Sequence, residues 1–131
     1  MWRRTNPNPC GKAVGDCAVR AISTALGVDW YTAFDMLCEE ARRQCNMPSA
    51  NEVINEVLRR HGFTRISCPD SYTARAFLAD HPRGLYVLVF SGHIATARDG
   101  VLLDAWDSSN ETIIYYYKGE SAWRGTIRIF Q

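Results

Sequence analysis

Residues 85–106, LYVLVFSGHIATARDGVLLDAW, decide the fold of this chain. Three short runs rich in β-branched, aliphatic and aromatic residues, Leu85 to Phe90, His93 to Arg98 and Val101 to Trp106, are separated by Ser91-Gly92 and Asp99-Gly100. Two-residue, glycine-containing breaks between such runs predict tight antiparallel hairpins. Towards the C-terminus, Thr112 to Tyr117 and Thr126 to Phe130 have the same character and extend the expected sheet. Tyr115, Tyr116, Tyr117 and Trp123 form an aromatic stripe suited to sheet packing or to lining a groove.

Towards the N-terminus the pattern turns helical. Asp16 is a suitable N-cap for a helix reaching about Leu26, with Gly27 to end it. Asp29 caps a second, which places Trp30, Ala33, Phe34, Leu37, Cys38 and Ala41 on one face. Ser49 caps a third, with Val53, Ile54, Val57 and Leu58 apolar and Gly62 beyond its end. Ser71 opens a short fourth helix that stops before Pro82. Residues 1–15, with Asn6-Pro7-Asn8-Pro9, read as irregular, and Trp2, Arg3 and Arg4 as a solvated basic arm. Helices followed by a strand meander predict an α+β fold, N-terminal helices packed on a C-terminal antiparallel β-sheet. A length of 131 residues suits a single domain, 1–131.

The Asp99-Gly100 turn also sets a register. If these two residues are its centre, Arg98 faces Val101, Ala97 faces Leu102, Ala95 faces Asp104 and His93 faces Trp106. His93, Ala95, Asp104 and Trp106 then share one face, with His93 and Asp104 diagonal neighbours roughly 7–8 Å apart at the backbone. Ala95 leaves space for the imidazole to lean towards Asp104, and Trp106 can shield that bond from water. A carboxylate on one ring nitrogen fixes the tautomer and frees the other nitrogen as a base. Asp107 is the rival carboxylate. It falls on the opposite face in this register, and Asp107-Ser108-Ser109-Asn110 is also a good turn sequence. His61 and His81 sit at a helix end and before a proline, where structural roles suffice.

Gly15-Asp16-Cys17-Ala18-Val19-Arg20-Ala21 places Cys17 in the first turn of the first helix. Unpaired N–H groups and the positive end of the helix dipole favour its thiolate, the reactive form, over a thiol that ordinarily titrates near ~8.5. The Cys17 N–H is also placed to bond an oxyanion. Asp16 beside it opposes that ionisation, and Arg20, one turn on, is a natural partner for Asp16. Asn51, just inside the third helix, is expected to border the cleft without taking part in the chemistry.

The remaining composition narrows the function classes. A net charge of +1 gives no sign of a nucleic-acid or membrane partner. The N-terminus is polar, without an apolar signal core, and no run is long enough to span a bilayer, so the expected location is cytoplasmic. Five cysteines, an odd number, argue against a disulfide framework. The lack of any Cys-x-x-Cys and the scattered histidines argue against a metal site, and no cofactor is expected.

A cysteine at a helix start, a distant histidine opening a strand and an acid on the next strand together resemble papain-like cysteine peptidases, in particular the short peptidase C39-like forms. Asp104-Ala105-Trp106 is similar to the third catalytic residue, small residue and shielding tryptophan of that superfamily, with Asp in place of Asn. Nearly the whole chain also resembles a family of small gut-bacterial phage and prophage proteins. The matching stretches are Asn6-Pro7, Gly15 to Ala21, Met47 to Asn51, Gly92-His93 and Asp104 to Ser108. The resemblance implies a cysteine hydrolase of a bacterial host cytoplasm, a peptidase or amidase acting on a peptide or protein. It would use Cys17, His93 and Asp104 through an acyl-enzyme, with Trp106 beside the site. Papain-like enzymes carry an amide side chain shortly before the nucleophile, where this chain has Gly11 and Lys12. Asn8 is the nearest amide to serve as oxyanion donor, with Asn6 and Lys12 as alternatives. An inactive binding or inhibitor protein on the same fold, and a transglutaminase-like acyltransferase, are the competing readings.

Overall fold

The computed structural model describes residues 1–119. In chain order its elements are β1 (Trp2–Arg4), α1 (Cys17–Leu26), α2 (Trp30–Gln44), α3 (Asn51–Arg60), β2 (Phe63–Ser67), α4 (Ala74–Asp80), β3 (Leu85–Phe90), β4 (His93–Arg98), β5 (Val101–Asp104) and β6 (Ile113–Gly119). Among the described residues, four helices and one six-stranded mixed sheet, ordered β1-β5-β4-β3-β6-β2, make an α+β fold.

The central strand explains the layering. Every residue of β3 is buried, and its side chains alternate between two cores. Val87 and Val89 join Ile22, Leu37, Val53 and Leu58 beneath α1, α2 and α3. Leu88 and Phe90 join Phe77, Leu78, Leu102 and Ile113 on the α4 side. A strand covered on both faces needs a continuous apolar run, which is why residues 85–90 do not alternate with polar ones.

The second hairpin has the register expected from its turn, Arg98 opposite Val101 and Ala97 opposite Leu102. Asp99 (φ 50°) and Gly100 (φ 78°) both take the left-handed conformations that a two-residue type I′ connection demands. At the first hairpin, Phe90 pairs with His93 and only Gly92 has positive φ (72°).

Several expectations are corrected. The strands do not run as a simple meander, because β6 returns past β5 and β4 to pair with the free edge of β3. Residues 2–4 are not a solvated arm. They pair in parallel with β5, Trp2 opposite Leu102 and Arg4 opposite Asp104, in a strand too short to carry a periodic signal. Residues 63–67 add an edge strand beside β6 that sequence reading left unassigned. The third helix is capped by Ala50, not Ser49. The fourth starts at Ala74 because Thr73, not Ser71, accepts the Ala76 N–H at 3.2 Å. Strand β5 ends at Asp104, two residues before Trp106, where the Asp104 side chain takes the Ala105 N–H at 2.7 Å. The strand expected at Thr126 to Phe130, and Trp123, lie outside the described residues. Among the described residues no helix is long and apolar enough to cross a membrane.

Candidate functional site

His93 is the first residue of β4 and Asp104 the last of β5. The two strands run antiparallel, so both residues sit at the same end of the sheet. Cys17, the first residue of α1, reaches that end because α1 lies along β4, pinned there by a hydrogen bond from Thr96 Oγ1 to the Ala21 carbonyl (2.8 Å). By strand alternation His93 is in line with Ala95 and Ala97, which pack on the α4 side, whereas Cys17 packs with the α1–α3 core. Thiol and imidazole thus come from opposite layers and meet at the end of the sheet.

His93 Nε2 is 2.7 Å from Asp104 Oδ2. The Cys17 sulfur interacts with the His93 ring and with the backbone at Ile94, both of which line the same cavity. With Nε2 facing the carboxylate, Nδ1 is the ring nitrogen left for the sulfur. Burial opposes charge on His93, but the bonds to Asp104 and Cys17 outweigh it and push its pKa up to about 9. The hydrogen bond from His93 is the main influence on Cys17 and holds its thiol below the ordinary value, against the effect of burial. The pair is therefore biased towards thiolate and imidazolium.

The imidazole is also fixed by its neighbours. Trp106 lies over it at a ring-centroid distance of 4.7 Å, and Phe90 stacks on it at 5.7 Å. Trp106 is half exposed, so it covers the histidine from the solvent side. Asp104 is buried and held by two further donors, Ser108 Oγ at 2.6 Å to Oδ2 and the Ala105 N–H to Oδ1, with Arg20 forming an ion pair at 3.9 Å from Oδ1. Its backbone carbonyl accepts from Trp2 Nε1 at 3.1 Å and from the Thr5 N–H at 2.8 Å, so β1 braces the acid from the edge.

Asp107, the rival carboxylate, faces away from this cluster. Its Oδ1 accepts from the Ser109 N–H (3.0 Å) and Ser109 Oγ (2.6 Å), closing the turn. His61 and His81 each bond through Nδ1 to a carbonyl of the helix they end.

Asp16 does not cap α1 with its side chain. Its carboxylate is instead buried among Arg20, Asn8 and Trp30, accepting from Asn8 Nδ2 at 3.1 Å and Trp30 Nε1 at 2.9 Å and forming an ion pair with Arg20. Arg20 therefore stands between Asp16 and Asp104, and the charge that would oppose a Cys17 thiolate is neutralised where it arises.

This arrangement places Asn8 differently from its expected role. Its Nδ2 is committed to Asp16 and its Oδ1 accepts from the Cys10 N–H at 2.9 Å, so it ties the N-terminal loop to α1 rather than facing the sulfur. Asn8→Ala should thus cost about 1–2 kcal/mol in a denaturant titration, the scale of a hydrogen bond lost from a carboxylate. Turnover per folded molecule should fall by less than about tenfold. An oxyanion donor would instead cost roughly a hundredfold or more.

An open cavity of about 400 Å³ is lined by Cys17 and His93 together with Ser49 and Asn51. The Cys17 N–H starts α1, ahead of the intrahelical ladder, and is a backbone donor at this point. Sequence reasoning missed Ser108, Ser49 and Ile114. In the sequence Ser108 belongs to a turn, and only its position four residues past Asp104 hints that it folds back. Ser49 has the pattern of a helix cap, and Ile114 that of one more strand residue. No known family model, curated protein or solved structure matches this chain.

Proposed function

We propose that this protein is a papain-like cysteine hydrolase that cleaves an amide, isopeptide or thioester through an acyl-enzyme on Cys17. The observation that carries this reading is the continuous chain from the Cys17 sulfur through the His93 ring to Asp104 Oδ2, at the mouth of a cavity able to hold a substrate. The Cys17 thiolate attacks the carbonyl carbon, a C–S bond forms, and the carbonyl oxygen takes the negative charge beside the Cys17 N–H. The His93 imidazolium gives its proton to the leaving nitrogen as the C–N bond breaks. Neutral His93 then takes a proton from water, the hydroxide attacks the thioester, and the acid leaves as the thiolate re-forms. Asp104 holds the ring in the tautomer that both steps require. If an amine replaces water in the second half, the same residues carry out acyl transfer.

A second reading, an inactive binding protein on the same fold, draws support from Asn8. With that amide committed to Asp16, the oxyanion has a backbone donor but not the upstream side-chain donor of papain-like enzymes. Peptide-aldehyde and acyl-ester probes with mass mapping separate the two. The hydrolase reading expects modification at Cys17 ahead of Cys10, Cys38, Cys45 and Cys68, and its loss in Cys17→Ala. Equal modification of all five cysteines would remove it.

A further inference from the structure

Strand β6 contains a β-bulge facing the candidate nucleophile. Phe90 pairs with Ile113 and Val89 with Tyr115, so Ile114 stands opposite no residue of β3. Bulges re-aim side chains and recur beside active sites. Here the re-aimed residue is a β-branched aliphatic, 55% exposed, forming part of the cavity wall beside Cys17. The bulge is braced from behind, where the Cys68 thiol donates to the Ile113 and Ile114 carbonyls at 3.4 and 3.2 Å and the Ile113 N–H donates to the Tyr72 carbonyl at 2.8 Å. Ile54, Val89 and Tyr115 continue the apolar wall, and Ser49 and Asn51 form a neutral polar rim. Among the described residues the cavity is lined by no Asp, Glu, Lys or Arg. Apart from the Cys17–His93 pair, whose two charges are held against each other, a charged group entering it would lose water without meeting a counter-charge, whereas an aliphatic group would cover the exposed Ile114.

We propose that Ile114 is a specificity-determining residue, and that the cavity accepts the uncharged, apolar side of an acyl group whose carbonyl is attacked by Cys17. This rests on the reading of Cys17 as an acyl-accepting nucleophile. The test uses p-nitrophenyl esters of the straight-chain acids from acetyl to valeryl, with the anionic succinyl monoester alongside. The thiolate forms the thioester, p-nitrophenolate leaves, and mass mapping confirms the acylated residue. Acylation of Cys17 should accelerate by up to about fourfold per added methylene, and the succinyl ester should be slowest. Ile114→Lys should flatten the chain-length dependence and bring the succinyl rate up about tenfold relative to butyryl. Tyr31→Lys, an exposed change on α2 outside the cavity, should leave the profile as it was. Fastest reaction with the succinyl ester, or an unchanged profile in Ile114→Lys, overturns the specificity assignment while leaving the nucleophile intact. Failure of every ester to acylate Cys17 removes the hydrolase reading and this inference with it.

Discussion

His93→Ala should reduce turnover by about 10²–10⁴-fold, the range supplied by a positioned general acid and base. It should also slow iodoacetamide modification of Cys17 at pH 6. Both losses have one origin. The ring holds the thiol below its ordinary pKa, and each unit regained removes about nine-tenths of the thiolate at a pH below it. The alkylation deficit should therefore shrink as the pH approaches the thiol's own range, while the turnover deficit persists because no proton reaches the leaving group. A purely structural histidine would behave otherwise: its loss would lower stability and leave the thiol's pH dependence in place. The fold should tolerate the change, since His93 is at a strand end and the β3–β4 ladder is made by backbone groups.

Arg20→Met should destabilise the protein by about 3–5 kcal/mol, the cost of removing one partner from a buried ion pair. Methionine keeps most of the side chain's volume, so packing loss is small. The penalty comes from Asp16, buried and left with Asn8 and Trp30, and from Asp104, which loses the second of its two cationic neighbours. Urea denaturation at pH 7 measures it, and a change below about 1 kcal/mol would show that the arginine is not needed to compensate these carboxylates. The acid limb adds a signed test. Burial raises the Asp16 pKa, but the bonds from Asn8 and Trp30 and the charge of Arg20 together hold it below the ordinary carboxylate value. A carboxyl depressed in the folded state contributes stability above its unfolded pKa and loses it as the pH falls through the folded one. Wild type should lose stability on acidification more steeply than Arg20→Met, and Asp16→Asn in the Arg20→Met background should recover part of the loss.

These two residues also mark how far the sequence was legible. The β4–β5 hairpin and the pairing of His93 with Asp104 followed from Asp99-Gly100, because a two-residue turn leaves one register and strand alternation fixes the face. The position of Cys17 followed from the helix-start pattern of Gly15-Asp16-Cys17. What escaped depended on contacts between segments remote in the chain. Asp16 looked like a cap because nothing local reveals that Trp30 and Asn8 converge on its carboxylate. Strand β1 is three residues long and is defined by its partner β5, each residue pairing with one 100 positions further on, rather than by any pattern of its own. The return of β6 to the edge of β3, and with it the Ile114 bulge, reflects competition for a free strand edge that no local propensity encodes.

The pH dependence of Cys17 alkylation, resolved from the other four cysteines by mass, tests the central claim most directly. The thiolate–imidazolium pair predicts that reactivity rises at a pH below the ordinary thiol range and changes again near pH 9, where His93 gives up its proton. A single rise at the ordinary thiol pKa, identical in wild type and His93→Ala, would contradict it.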